Sequence, residues 1–186
     1  MDFSHYSDEP VQLAVDLVNT HEDFADEEHL ATVADLEAFI TEHTSEWEHP
    51  DWTLTRADLD AVQALRTRLR EAIIAGDAAA AADHLNRILV DVSATPRVSV
   101  HNEADPHLHF EPTDASPARW LGAITAMGLS VALIEGGYER FGVCASATCE
   151  DVYVDTSRNR SRRHCSASCT TRENVAAYRK RQKAGP

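Results

Sequence analysis

Four cysteines form the only dense chemical constellation in this chain: Cys144, Cys149, Cys165 and Cys169. They read C-x4-C, then fifteen intervening residues, then C-x3-C. Two short-spaced thiol pairs can converge on a tetrahedral Zn²⁺, and a metal held in this way fixes a segment too small to bury much core of its own. Two disulfides or scattered free thiols are the alternatives. Disulfides belong to exported proteins, because cytosolic reductants keep thiols apart. The opening MDFSHYSDEPVQLAVDLVNT has no basic start and no sustained apolar core, so neither a signal peptide nor an anchor is expected and the chain is placed in the cytoplasm. Catalytic zinc usually keeps one position open for water. Four thiolates would fill the shell, so a structural site is expected.

The residues around the cysteines carry a second signal. Arg158, Arg160, Arg162, Arg163, Arg172, Arg179, Lys180 and Lys183, with Arg181, gather in the last 30 residues. Arginine forks fit phosphate oxygens and guanine edges, so these side chains are the candidate nucleic-acid contacts. The competing role for any single arginine is to neutralise a four-thiolate centre or to dock on an acidic body. The net charge of -14 hides a polarity: residues 1–139 hold 27 acidic and 7 basic residues, residues 140–186 hold 4 and 10. An acidic body with a basic tip meets DNA tip first.

The elements that must position these groups are mostly helical. Val11–Thr20 places Leu13, Leu17 and either Ala14 or Val18 on one face; Thr32–His43 repeats Val33, Leu36, Phe39 and Ile40 behind a Thr cap. Leu54–Ala75 opens on Thr55 and Asp58 and carries a long stripe through Leu59, Val62, Leu65, Leu69 and Ile73. Gly76 and Asp77 break it and cap an alanine-rich partner, which predicts an antiparallel helical hairpin. SEWEHPDW is a loop, and alternation in RVSV and LHFE around HNEADPH predicts a β-hairpin between 97 and 111. A core helix follows Pro117 and stops at Gly136 and Gly137. No apolar run is expected to cross a bilayer. In the C-terminal part, DVYVD reads as one strand, SRRHC as its partner, and Thr170 with Glu173 as the capping box of a final basic helix. The expected fold is mainly α with a small β-hairpin (α+β): a helical domain over 1–137 and a zinc-held hairpin-plus-helix module over 138–186.

These residues resemble a known family. CASATCEDVYVDTSRNRSRRHCSASCTTRENVAAYRKR is similar to the CGNR zinc finger, a bacterial C-terminal module, and DTSRNRSRR before a cysteine is the most specific part of the match. VQLAVDLVNT is similar to the start of the ABATE domain that usually precedes it. The resemblance implies a stress-induced transcription regulator with zinc in the finger and a sensor in the N-terminal domain. Two departures stand out: the tetrad here is Cys169-Thr170-Thr171-Arg172, without its Gly and Asn, and His164 replaces a bulky aromatic. The resemblance also marks Asp16, Asn19 and Thr20 as candidate effector-binding residues, against the simpler role of solvent face and helix end.

His101, His107 and His109 lie on or beside the hairpin, where His107 and His109 would share a strand face; Trp47, Trp52 and Trp120 offer planar stacking surfaces, with core packing as the default. No phosphate loop, G-x-S-x-G elbow or H-E-x-x-H is present, so no enzyme is expected. The expected function is a DNA-binding regulator responding to an unidentified small-molecule effector. The alternative is a zinc-stabilised basic module gripping an acidic protein or RNA. One short reading helix covers few base pairs, so a homodimer is expected.

Overall fold

The apolar stripe of residues 59–73 needs a fixed start, and Thr55 supplies it. Its hydroxyl takes the amide of Asp58, whose carboxylate returns to the Thr55 amide at 2.9 Å, completing a capping box. In the computed structural model, which describes residues 8–44, 47, 49–100 and 106–184, this helix is α3, Arg56–Ile73. It is preceded by α1 (Asp8–Val18), the small strands β1 (His21–Glu22) and β2 (Glu27–Glu28), and α2 (Val33–Thr44). Asp77 caps α4 (Ala78–Asp91), which packs back on α3 as the expected hairpin. Thr32 and Asp35 cap α2 reciprocally. The side chains of Asp8, His107, Lys183 and Ala184 lie outside the description, as do His101, most of the HNEADPH turn, and Ser45, Glu46 and Glu48 of the SEWEHPDW loop.

Strands β3 (Arg97–Ser99) and β4 (His107–His109) pair antiparallel with Val98 opposite Leu108. Helix α5 (Pro117–Gly136) then runs through the centre. By length and composition α5 is apolar enough to cross a bilayer, contrary to the sequence expectation. Two thirds (67%) of its most apolar 18-residue stretch is buried against its neighbours, which is how a core helix uses the same composition. It meets α1, α3 and α4, and at Gly128 the approach to α1 is so close that a Cβ there would lie 2.5 Å from Pro10 Cβ and 3.0 Å from its carbonyl carbon.

After Gly137, which adopts φ 83, a short 3₁₀ turn (Tyr138–Arg140) leads into β5 (Phe141–Val143), paired with β6 (Val152–Val154). The last element is α6, Ala167–Ala184. One correction concerns the partner of DVYVD. It is β5, on the near side of the first cysteine pair, while SRRHC is an irregular return; Gly142 fits opposite Tyr153 because a side chain there would strike the ring.

The two parts share one core. Phe141, Val152 and Val154 belong to the same buried cluster as Leu17, Leu59 and Leu121. This explains why α1 buries Val11, Leu13, Ala14, Val15, Leu17 and Val18 rather than one stripe: α5 covers one side and β6 another. Asn19 completes the joint. Its amide donates to the Val152 carbonyl at 3.0 Å and its oxygen accepts the Val152 amide at 2.9 Å, so a side chain pairs with β6 as a strand would. Tyr138 adds a second tie, its hydroxyl donating to the Ile73 carbonyl and accepting from the Gly76 amide.

Two substitutions test this frame. Gly128→Ala forces backbone apart and should lower stability by about 1–3 kcal/mol in denaturant unfolding. Asn19→Asp removes the donor to Val152 and faces a carboxylate to a carbonyl; it should cost about 1–3 kcal/mol and raise the hydrogen-exchange rate of the Val152 amide.

Candidate zinc centre and basic face

The β5–β6 turn and the first turn of α6 bring the four cysteines together. Their sulfur atoms all lie within 4.8 Å of one another, with Cys149–Cys165 and Cys165–Cys169 each at 3.6 Å. All four are free thiols, Cys144 and Cys169 buried, Cys149 and Cys165 half-buried. A tetrahedral zinc with Zn–S bonds of about 2.3 Å sets its sulfurs about 3.8 Å apart, so the residues present fit that ion. Zinc bound there would cross-link β5, β6 and α6.

The backbone builds this geometry with few residues. Cys144 donates its amide to the Asp151 carbonyl at 2.8 Å, closing the C-x4-C turn, and Ala145 donates to the Arg163 carbonyl at 2.8 Å, which draws the irregular return alongside. Ser166 caps α6 by accepting the Cys169 amide at 3.2 Å, so the helix begins four residues earlier than the expected Thr170–Glu173 box. Thr170 instead donates its hydroxyl to the Ser166 carbonyl, and Glu173 accepts from Ser146 at 2.7 Å, tying α6 to the first cysteine turn. The cap moved because Ser166 offers the same hydroxyl acceptor one turn earlier, where Cys169 must already be helical.

Burial pushes the Cys149 thiol up to about 12 and drives Cys165 upward as well. Burial acts on Cys169 too, but its contacts with Ser166, the neighbouring thiols and Arg172 outweigh this and hold it below the ordinary thiol range. Without a cation the cluster therefore keeps protons, and a metal must displace them.

The arginines divide by what they touch. Arg172 donates to Cys169 Sγ at 2.8 Å and to Thr148 at 3.2 Å, neutralising the thiolate side of the cluster. Arg162 donates to the carbonyls of His164 at 3.0 Å and of Cys165, and its guanidinium lies 5.7 Å from the Tyr153 ring centre. Arg160 adopts φ 47 and pairs with Glu139 at 2.8 Å. Arg158, Arg163, Arg179 and Lys180 are exposed and make no ion pair among the described residues. Beyond Glu173, α6 is exposed on every face through Gln182, with Val175 and Tyr178 among its surface side chains; Lys183 lies on the same helix.

Sequence reasoning missed Asp155 and Arg140. Asp155, 3% exposed, accepts the amides of Ser157 at 2.9 Å and Arg162 at 2.8 Å, and Arg140 donates to the Asp155 and Ser157 carbonyls. Burial opposes its charge, but these amides, the Ser157 hydroxyl and Arg140 hold the carboxyl below its usual range. The Asp-x-Ser spacing is an Asx-turn signal that could have found it. DTSRNRSRR thus builds the turn that returns Cys165 to the cluster.

The effector candidates do not converge. Asp16 accepts from Gln12 and faces His43 at 3.5 Å; Asn19 holds β6; Thr20 donates to Leu17 and accepts from Arg66, which makes a two-pronged pair with Glu28 at 2.6 and 2.7 Å. His109 lies against Glu111, while the His107 side chain and His101 fall outside the described residues. The three tryptophans meet around Trp120, which is 1% exposed.

Residues 12–136 are similar to the family described as "Putative stress-induced transcription regulator", ABATE, and residues 140–182 to the family described as "CGNR zinc finger". No curated protein matches the chain. The finger family and the sulfur geometry together identify zinc as the cofactor.

Zinc uptake at pH 7 should release about two protons or more, read with a pH dye in weak buffer. Affinity should fall as pH falls, because thiols held protonated without metal become still harder to empty. Arg172→Gln should weaken zinc in chelator competition.

Proposed function

On the premise that this chain belongs to the ABATE family and carries a CGNR zinc finger, we propose that it is a DNA-binding transcription regulator whose zinc-held tip docks on duplex DNA. In this assignment Cys144, Cys149, Cys165 and Cys169 are the zinc ligands, residues 138–186 form the DNA-reading part, and residues 1–137 sense a small-molecule effector. The observation that carries it is the exposed length of α6, fixed at its base by Cys169 with Arg163 beside its start, on a chain whose remaining residues are strongly acidic.

The phosphate contacts are Arg158, Arg163, Arg179, Lys180 and Lys183. Arg162 and Arg172 hold the tip in shape, and Arg160 reaches DNA only by releasing Glu139. A cleft of about 370 Å³ between Arg163, Ser166 and Thr170 at the start of α6 is suited to a backbone phosphate, where helix dipole and guanidinium act together. Two copies of the chain on a symmetric site would lengthen the sequence read by one short helix each.

The test is selection from a genomic duplex library with zinc-loaded protein across a salt series. The wild type should enrich a defined motif with a steep salt dependence. Replacing Arg158, Arg163, Arg179 and Lys180 by Ala should reduce the slope of log K against log salt by about 3–4 while zinc stays bound. Light scattering should give a dimer on the selected duplex. Absence of any motif with zinc retained would favour an acidic protein or RNA partner.

A further inference from the structure

Every tryptophan of the chain stands at one place. Trp47 and Trp52 lie 5.7 and 5.8 Å from Trp120 between ring centres, and His49 stacks on Trp52 at 4.6 Å with a 6° tilt. Beside this cluster a cavity of about 400 Å³ opens toward β3 and β4, lined by His49, Trp120, Arg97, Ser99, His109 and Glu111 among others. That volume suits a small organic molecule.

One wall is aromatic and the other supplies hydrogen-bond donors. Arg97 commits one amino group to the Glu111 carbonyl at 2.5 Å; its other guanidinium N–H groups meet no partner among the described residues. Glu111 brings a carboxylate to the same lining, but it is 8% exposed and engaged: one oxygen takes the Phe110 amide at 3.0 Å and the other lies against His109 Nδ1. Trp120 is almost fully buried, and Trp52, packed on it, donates its indole N–H to the Ala115 carbonyl at 2.9 Å. Guanidinium N–H groups of Arg97 on one side of the cavity and the flat His49 ring on the other suit a flat ligand that carries an anionic acceptor.

We propose that this cavity binds a planar aromatic carboxylate of one or two rings, its carboxylate on Arg97 and its ring against His49. The effector role of such a ligand rests on the sensing function assigned above; the binding itself does not. Asp16, Asn19 and Thr20 take no part in this site.

Because Trp120 lines the site and Trp47 and Trp52 pack against it, intrinsic fluorescence of the zinc-loaded full chain reads it. Salicylate and indole-3-acetate are titrated, with benzylamine and benzyl alcohol as cationic and neutral counterparts, and thermal shift as a second readout. The two carboxylates should quench saturably and raise Tm. Arg97→Met should weaken their Kd at least tenfold, with only a small fall in ligand-free Tm from the lost bond to the Glu111 carbonyl, Arg97→Lys should restore part of the affinity, and Asp16→Asn should leave it unchanged. No saturable response to either carboxylate at millimolar concentration, equal binding of benzyl alcohol or benzylamine, or an Arg97→Met variant that binds like wild type would each overturn the proposal. Duplex binding with and without salicylate separates the two levels. Saturable quenching without a change in duplex affinity keeps the cavity and removes its sensing role. Intact duplex recognition without quenching removes the cavity and leaves the DNA assignment standing.

Discussion

Four sulfur atoms confined within 4.8 Å cannot all carry charge in a half-buried pocket without a cation among them. Much of the C-terminal part follows from that constraint. Arg172 lies on Cys169, the Asp151 and Arg163 carbonyls hold the first cysteine turn, and Arg162 holds the carbonyls around Cys165. Positive charge is therefore distributed in two layers. An inner layer stabilises the cluster and its loops, and an outer layer on α6 and the 158–163 turn faces solvent.

The tip does not hang from a flexible tether. Val152 and Val154 enter the core of the helical part, Asn19 pairs with the β6 backbone, and Tyr138 is bonded to the turn between α3 and α4. Gly136 and Gly137 lie at the joint, but their freedom is used to turn the chain sharply and not to swing it. Motion at the tip must therefore be felt by α1, which gives any coupling between the two parts a packed, physical route.

Helix α5 offers a second route. Trp120 stands in its first turn beside the aromatic cluster, and its last turn hands the chain to Tyr138 and β5. Twenty residues of helix make a rod of about 30 Å. Close contacts at Gly128 with Pro10 and at Gly122 with Val92 and Leu65 leave that rod little room to slide. α5 thus joins the aromatic cluster to the segment that leads into the metal-held tip.

The sequence by itself determined the elements whose signals are local. Periodicity placed α1 to α5 within a few residues, Thr55 with Asp58 and Asp77 announced their caps, and the cysteine spacing announced the metal. Charge asymmetry separated body from tip. Only the tertiary structure decided which strand partners β6, where α6 begins, which arginines are held and which are exposed, and that Asn19 belongs to the joint. Each of these depends on groups distant in the chain: Asn19 and Val152 are 133 residues apart, and Ser146 and Glu173 are 27. Hydrogen bonds across such separations leave no periodic trace, because either partner alone looks like an ordinary surface polar residue until the fold closes around it.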